Sequence, residues 1–430
     1  MSDPLPRSEP AAAPPEPHLP PIAGESHGLI AVIRRIASAG TPLSEPPVLT
    51  WLLNEGRRVH RDAEFFDELC WRLVGDGLPL SRVNVTVRTL HPQILGFAFR
   101  WYRQRRVTEV LRVDHGAQLT ADYLESPIRP VTEHGATVRF RLEDEMTMAP
   151  YPLLATLRRH GATDYYACPL TFFNGRHQSL AWTTDRPGGF AEAEIARMDA
   201  IRPAIATVIE ARAMRFIAGT LLEIYLGRTA GRRVLEGEIR RAEGERMHAA
   251  ILACDMRGFT HLSDRLPGEE LIGLLDDYFD AVAAPVQGAG GEVLKFVGDG
   301  MLAIFAVDGA GDAAAARAAL AAAGEALRRI EALSRARLAA GRVAIRIGVG
   351  LHLGEIIFGN VGAADRLDFT AIGPAVNLAF RLESLTKRLD RPLLLSREFA
   401  LAAGQPVVSL GFHPVKGLNE PEEVFGLASA

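Results

Sequence analysis

Cysteine is scarce in this 430-residue sequence, which holds only Cys70, Cys168 and Cys254. The three lie far apart and form neither a CxxC pair nor a zinc-binding spacing, so we expect no disulfide framework and a reducing compartment. Long apolar runs are missing as well, and the first ten residues lack the apolar core of a signal peptide. The sequence therefore predicts a cytoplasmic protein without a membrane span.

An excess of charge of one sign is also missing, since the net charge is −4 and the isoelectric point is near 6.3. Nucleic-acid-binding domains usually carry a basic excess, so we expect no nucleic-acid partner. Large apolar residues are nearly absent from residues 1–22, which are rich in Pro and Ala and are predicted to be disordered. The rest of the chain is long enough for two domains of ordinary size.

Residues 23–210 show helical spacing at both ends and strand-like runs between them. We predict helices over 28–40, 47–58, 62–75 and 191–216. We predict strands over 82–90, 94–102, 107–113, 137–142, 165–173 and 178–184. This order indicates an α+β domain built around an antiparallel sheet.

The order of these elements, with CPLTFFNGRHQSLAWTTDRPGGF leading into the last helix, resembles a GAF-type sensory domain; a PAS-like domain is the alternative. The resemblance implies a regulatory role and a small-molecule or protein signal, which no residue set identifies. His91 and His115 are isolated and are more typical of surface or core positions than of ligands. The aromatic residues Tyr165, Tyr166, Phe172 and Phe173 are expected in the core.

Residues 211–247 carry apolar residues at helical spacing, interrupted at Gly227 and Gly231. The repeat is too short and irregular for a long coiled coil, so we predict two short helices joined by a bend. An amphipathic stripe without a domain of its own needs a partner surface. We therefore interpret 211–247 as a dimerising signalling linker.

From residue 248 to residue 430 the pattern becomes regular. Strands are predicted over 249–254, 292–297, 301–307, 343–352 and 355–361, with helices over 269–288 and 310–337 between them. A turn leads from Thr370 into a helix that ends near Leu389, and short strands over 392–395 and 423–427 close the chain. The β-α-β-β-α-β order predicts a ferredoxin-like core with additions.

Two carboxylates stand out in this second region. Asp299 lies between two glycines at the tip of a predicted hairpin in KFVGDGMLAIF, and Asp255 ends a short apolar strand in ILACDMRGFT. A carboxylate at the end of a buried strand is costly unless it is paired or bound to a metal. Asp255 and Asp299 are therefore candidate ligands of divalent cations. The backbone amides around Gly258, Phe259 and Thr260 would bind phosphates near a helix start.

Four segments, CDMRGFT, KFVGDGMLAIF, RIGVGLHLGEIIFGNVG and DFTAIGPAVNLAFRLES, resemble the class III adenylate and guanylate cyclases in order and spacing over residues 245–427. The resemblance implies a ferredoxin-like fold and a homodimer with active sites at the subunit interface. It also implies two Mg²⁺ or Mn²⁺ ions per site, held by Asp255 and Asp299.

The same resemblance assigns five more residues. Lys295 and Thr370 match the purine-selecting positions, and Thr at the second position is typical of many bacterial members. Asn377 and Arg381 match the pair that orients the ribose and stabilises the transition state. Lys416 matches a lysine near the terminal phosphates, on a shorter motif.

Hydrogen-bond complementarity predicts that the substrate is ATP. Lys295 can donate to adenine N1 and Thr370 can accept from the N6 amino group, whereas guanine presents a donor at N1. The neighbouring Asp368 leaves open which side chain meets the amino group. The expected activity is adenylate cyclase, forming 3′,5′-cyclic AMP and pyrophosphate; the alternatives are a guanylate or diguanylate cyclase and an inactive nucleotide-sensing domain.

Overall fold

The computed structural model describes residues 29–38, 46–143, 151–240, 244–363, 365–415 and 420–428. The chain divides into two compact units, Met1–Ala218 and Gly219–Ala430. The tail predicted to be disordered, residues 1–22, lies outside the described residues. Among the described helices, none combines the length and apolar character needed to cross a bilayer.

The first unit is built on a seven-stranded antiparallel sheet in the order β1-β4-β3-β2-β7-β6-β5. The strands are β1 Ile30–Ala37, β2 Arg82–Arg88, β3 Ile94–Tyr102, β4 Val107–Asp114, β5 Val138–Arg141, β6 Asp164–Thr171 and β7 His177–Thr184. The helices are α1 Val48–Asn54, α2 Asp62–Gly75, α3 Ala121–Leu124, α4 Arg129–His134, α5 Pro152–Arg159 and α6 Glu192–Leu226, with short 3₁₀ turns at Gly56–Arg58 and Ala117–Leu119. This architecture is consistent with the predicted GAF- or PAS-like α+β fold.

The two faces of this sheet are packed differently. One face forms a single large apolar cluster with α1, α2 and α6, centred on Trp51, Trp101 and Trp182. The other face is covered by the short helices α3, α4 and α5 and carries two smaller apolar clusters. Side chains alternate between the faces along each strand, so one strand contributes to both.

Two expectations for the first unit are wrong. The segment over 28–40, predicted as a helix, contains strand β1, which pairs antiparallel with β4. Its apolar residues fit both the helical and the strand period, and hydrogen bonding to β4 at the edge of the sheet selects the strand. Phe173, expected in the core, is 83% exposed, because it follows β6 in the turn to β7. The other predicted strands are present, with ends that differ by up to two residues.

The linker prediction is only partly right: a bend is present at one of the two glycines, but the helix before it is the end of the 35-residue α6, which was predicted to end at residue 216, and not a separate short helix. Helix α6 ends at Leu226, Gly227 has a left-handed φ of +89°, and α7 runs from Arg228 to Leu235. Gly231 does not interrupt α7. A Cβ there would lie 2.7 Å from the backbone of Leu222 and Glu223, so this glycine permits close packing of α7 against the end of α6.

The second unit contains an eight-stranded sheet in the order β14-β15-β13-β11-β8-β10-β9, with β12 paired to β11. The strands are β8 Gly244–Met256, β9 Glu292–Val297, β10 Gly300–Ala306, β11 Ile347–Gly362, β12 Leu367–Ile372, β13 Leu393–Ser396, β14 Val407–His413 and β15 Glu422–Leu427. After α7, the helices are α8 Phe259–Ser263, α9 Gly268–Gly288, α10 Asp312–Ala339, α11 Pro374–Arg388 and α12 Arg397–Ala403.

The order β8-α9-β9-β10-α10-β11 is the predicted β-α-β-β-α-β core, and its strands lie antiparallel in the order β11-β8-β10-β9. Helices α9, α10 and α12 pack on one face, and α7 and α11 contribute to apolar clusters on the other. The strands predicted over 343–352 and 355–361 are instead one strand, β11. Thr370, predicted in a turn, lies within β12. Strand β14 and helix α12 were not predicted.

Candidate active site

The Asp299 hairpin has the predicted form. Strands β9 and β10 pair antiparallel, and Gly298 takes a left-handed φ of +62° that lets the chain reverse in a tight turn. Asp299 is half-buried at the tip. The glycine-flanked sequence thus places a carboxylate at the end of β10, which lies beside β8 in the sheet.

Asp255 lies near the end of β8, between the buried residues Cys254 and Met256. Its carboxyl group is within hydrogen-bond reach of that of Asp299. Burial, followed by the negative charges of Asp299 and Glu383, raises the pKa of Asp255 to about 7. No lysine or arginine in the described part of the chain pairs with either aspartate. The structure therefore brings the two predicted metal ligands together and leaves their charge uncompensated.

Glu383 is a third carboxylate beside this pair, and the sequence analysis missed it. It projects from α11 over Gly348, which pairs with Asp255 across β8 and β11; a Cβ on Gly348 would lie 2.9 Å from Glu383 Oε1. Burial raises the pKa of Glu383, and nearby Arg257 opposes that shift. Among the described residues, no group of three His, Cys, Asp or Glu side chains has a metal-binding arrangement.

Arg257 is a second residue that the sequence analysis missed. Its guanidinium group donates to the carbonyl oxygen of Thr386 at 3.1 Å, and it also hydrogen-bonds the carbonyl of Arg391. Its own amide donates to Arg346. These bonds tie the segment after Asp255 to the end of α11. The signal in the sequence was the position of Arg257 directly after the strand that carries Asp255.

The two predicted base-recognition residues lie near one strand, β12. Lys295 Nζ, on β9, donates to Asp368 Oδ2 at 3.2 Å, and Asp368 lies two residues before Thr370 on the same face of β12. Thr370 is 3% exposed, and its hydroxyl oxygen has no hydrogen-bond partner among the described residues. A buried hydroxyl without a partner is costly and requires an explanation.

Asn377 and Arg381 lie one turn apart on α11, as predicted from their spacing. Asn377 is exposed and Arg381 is half-buried. Within the described residues, the Arg381 guanidinium forms neither a hydrogen bond nor an ion pair, and so it has no such link to Asp255 or Asp299.

The phosphate-binding candidates are only partly described. Gly258 has a left-handed φ of +78° and precedes α8, which begins at Phe259 as predicted but is only five residues long. Thr260 lies in that helix and is exposed. Lys416 lies outside the described residues. These positions remain predictions.

Comparison with known proteins identifies the second unit. Residues 243–392 match the family model described as the adenylate and guanylate cyclase catalytic domain. An adenylate cyclase of Anabaena cylindrica is 36% identical over 160 residues, which cover 37% of this chain and 31% of that protein. Adenylate cyclase 1 of Rhizobium meliloti is 33% identical over 154 residues, covering 35% of this chain and 23% of that one.

Solved structures of cyclases are similar to part of the chain. The adenylyl cyclase CyaB from P. aeruginosa is 30% identical and covers 44% of this chain and 97% of its own, with a TM-score of 0.40. The guanylyl cyclase Cya2 is also 30% identical and covers 42% of this chain and 92% of its own, with a TM-score of 0.38.

The C-terminal unit contains a class III adenylate and guanylate cyclase catalytic domain, at residues 243–392. Such a domain has a nucleotide substrate and a dimeric arrangement, and it generally uses divalent metal ions. The matched segment covers less than a third of each of the two adenylate cyclases named above. The similar proteins include both adenylyl and guanylyl cyclases.

Proposed function

We propose that this protein is an adenylate cyclase, which converts ATP to 3′,5′-cyclic AMP and pyrophosphate at a site shared by two copies of the chain. The observation that carries the proposal is the pair of uncompensated carboxylates, Asp255 and Asp299, at adjoining strand ends of a cyclase catalytic domain. In the reaction the ribose 3′ oxygen attacks the α-phosphorus and loses its proton. The bond from the α-phosphorus to the bridging oxygen breaks, and pyrophosphate leaves.

Asp255 and Asp299 fit two divalent cations, Mg²⁺ or Mn²⁺, because these hard cations prefer carboxylate oxygens and the pair is half-buried with unbalanced negative charge. Such ions, when bound, favour ionisation of the 3′ hydroxyl and neutralise the triphosphate. Two aspartates would leave ligand positions for phosphate oxygens and water, because Mg²⁺ is usually bound by one or two carboxylates together with water and substrate phosphates.

Arg381 is the proposed stabiliser of the charge that develops on the α-phosphate, and Asn377 orients the ribose. A guanidinium group offers donors in a fixed fork that matches phosphate oxygens. The absence of any partner for Arg381 among the described residues supports this role, because an engaged side chain would need release before it met substrate. The proposed phosphate contact of Lys416 rests on the resemblance, and that of Gly258–Thr260 rests on backbone amides near a helix start.

The proposed purine is adenine. Lys295 is held by Asp368, so its remaining hydrogens can donate to adenine N1. Thr370 has the unpartnered hydroxyl, and this supports Thr370, rather than the engaged Asp368, as the acceptor for the N6 amino group. Guanine would place its N1–H donor against the Lys295 ammonium and its O6 acceptor near the Asp368 carboxylate, and a site built for polar pairing rejects such a mismatch strongly.

The proposed assembly is a homodimer in which one chain supplies the metal ligands Asp255 and Asp299 and its partner supplies the transition-state residues Asn377 and Arg381. The lack of a hydrogen bond or ion pair between Arg381 and either aspartate, within the described part of one chain, supports the assignment. A single catalytic domain would supply only some of the residues that each active site needs, so the monomer should be inactive. Two equivalent sites follow from the two-fold symmetry of such a dimer.

The N-terminal unit is proposed to regulate this dimer through the linker over 211–247. A contact inside the second unit supports regulation through α7. Glu292 Oε1, at the start of β9, accepts a hydrogen bond from the Thr229 amide at 2.6 Å. Strand β9 also carries Lys295 and leads to Asp299. Ala230 of α7 is fully buried against the same sheet. A shift of α7 would therefore act on the hairpin, and a misplacement of about 1 Å can cost on the order of a hundredfold in rate.

Turnover by the purified full-length chain tests the proposal. With Mg²⁺ or Mn²⁺, ATP should give 3′,5′-cyclic AMP and pyrophosphate, and GTP should react at least tenfold more slowly. Arg388→Ala, a change on the exposed part of α11, is the matched control for Arg381→Ala and should keep activity. Preferred formation of cyclic GMP would establish a guanylate cyclase, and a dinucleotide product would establish a diguanylate cyclase. Binding of ATP without turnover would establish an inactive nucleotide sensor.

A further inference from the structure

A polar cavity lies under the second face of the N-terminal sheet. Its volume is about 220 Å³, many times the space that one buried water needs. The floor is formed by β2 and its neighbours β3 and β7, and helices α3, α4 and α5 cover it. The two small apolar clusters of this face each contribute lining residues, including Ala98 and Val113 from one and Ala181 from the other.

The floor of the cavity is charged and polar along strand β2, between the two small apolar clusters. Strand β2 reads RVNVTVR, and its valines Val83, Val85 and Val87 belong to the large core on the opposite face. The alternate residues all line the cavity: Arg82, Asn84, Thr86 and Arg88. Burying polar groups in this way is costly unless they are satisfied within the protein or by something bound there. The same strand thus provides an apolar face for folding and a polar face for the cavity.

Most of these polar groups are engaged with one another. Asn84 accepts from Arg100 Nε and donates to Thr86 Oγ1, both at 3.3 Å. Arg82 also has partners within the protein. The amide of Arg88 donates to Gln178 Oε1 at 2.8 Å, which fixes the backbone at that point.

The guanidinium group of Arg88 is less engaged within the protein than those of Arg82 and Arg100. Its one hydrogen bond to a described residue is a long contact of 3.4 Å from Nη2 to the Tyr123 hydroxyl, which is itself 2.7 Å from Thr132 Oγ1. Within the described part of the chain it forms no ion pair. The acidic residues that line the cavity, Asp122 and Glu125, are exposed at the rim. A cation therefore faces the cavity with most of its donors unused.

We propose that this cavity binds a small organic carboxylate, with Arg88 as the anchor of the carboxylate group. A guanidinium fork matches two carboxylate oxygens, and the flanking apolar clusters suit an apolar body. The rim carboxylates Asp122 and Glu125 oppose a dianion such as phosphate. The Tyr123 and Thr132 hydroxyls connect Arg88 to the covering helices, so occupancy would also order α3 and α4. This inference does not depend on the cyclase activity.

The test uses the full-length chain and three probes: benzoate, its neutral isostere benzamide, and inorganic phosphate. Binding is measured by calorimetry and by the shift in unfolding temperature. Benzoate should bind and raise the unfolding temperature, and benzamide and phosphate should each bind at least tenfold more weakly. If benzamide or phosphate matches benzoate, or if benzoate does not bind at concentrations up to tens of millimolar, the proposal is wrong.

Variants locate the site. Arg88→Gln should weaken benzoate binding about tenfold to a hundredfold, because a hydrogen-bonded charge pair is lost. Arg88→Lys keeps the charge without the fork and should give a smaller loss. Arg112→Gln is the matched control, because Arg112 is an exposed arginine of the same sheet that pairs with Asp114, and it should bind benzoate as the wild type does. Unchanged binding in both folded Arg88 variants would overturn the assignment.

Discussion

The two units place uncompensated charge of opposite sign in partly shielded positions. In the C-terminal unit Asp255, Asp299 and Glu383 gather negative charge beside the strand ends, and burial together with this charge raises the pKa of Asp255 to about 7. In the N-terminal unit the Arg88 guanidinium faces a cavity with no acidic partner among the described residues. Folding favours neither arrangement, because shielded charge without a counter-charge is destabilising. Each therefore indicates a ligand of the opposite charge.

A third site sharpens the contrast. Lys295 and Asp368 are also charged and lie in the same unit as the carboxylates, but they balance each other at 3.2 Å. The balanced pair suits selection between neutral bases, and the unbalanced groups suit binding of ions. The predictions below separate these roles by the size and kind of effect expected.

The largest effect is expected at the unbalanced carboxylates. Asp299→Ala or Asp255→Ala should lower cyclase activity by a factor of about a thousand or more, since each removes a proposed metal ligand. The variants should remain folded by circular dichroism. Asp277→Ala, at an exposed position of α9, is the control and should keep full activity. Near-wild-type turnover in either folded variant would remove the metal assignment.

A smaller effect is expected at the balanced pair. Lys295→Ala should reduce the preference for ATP over GTP, measured as the ratio of kcat/KM values, by about tenfold to a hundredfold. Thr370→Val removes the proposed acceptor at nearly constant volume and should act in the same direction. Asp368→Asn should disturb Lys295 rather than the base directly. If activity falls equally with both nucleotides in all three variants, these residues do not select the purine.

Changes in the linker over 211–247 should alter cyclase activity several-fold. Inserting one or two residues near Gly227 rotates α7 relative to α6 and should change cyclase output, as should loss of the Thr229–Glu292 contact in Glu292→Ala. Glu236→Ala, an exposed change just after α7, is the control. The rates should be compared at protein concentrations far above dimerisation. If all these changes are silent, the N-terminal unit promotes assembly only.

The smallest effect concerns stability without metal. The pKa of Asp255 is raised from 3.8 to about 7, so the folded state holds a proton that the unfolded state releases over that range. The free energy of unfolding therefore falls as pH rises from 3.8 to about 7. Asp255→Asn should remove this loss and be more stable than the wild type at pH 8 by about 1–2 kcal/mol. The gain should shrink toward pH 4. Mn²⁺ should stabilise only the wild type, and a variant less stable at every pH would contradict the charge argument.

The sequence predicted the cyclase core well because its signals are local. A glycine-flanked aspartate makes a turn wherever it occurs, and the spacing of Asn377 and Arg381 fixes their shared helix face. The sequence-based predictions failed where contacts between distant parts of the chain determine the structure. The 28–40 segment fits two periods and becomes β1 through pairing with β4.

Glu383 and Arg88 were missed for a related reason. Glu383 lies beside the carboxylate pair because α11 packs on β11, where Gly348 leaves space next to the Glu383 carboxylate. Arg88 belongs to a strand that was predicted, but only the sheet order and the covering helices show that its polar face lines a cavity. In both cases the informative neighbour is distant in sequence.

Mixing of two inactive variants tests most directly the claim that one site is shared by two chains. Asp299→Ala and Arg381→Ala chains should each be inactive alone. After subunit exchange, half of the dimers are hybrids with one intact site of two, so equal mixing should restore about a quarter of wild-type activity. Exchange is monitored independently by two affinity tags. An exchanged mixture that remains inactive would contradict the shared site, and with it the proposed arrangement of this cyclase.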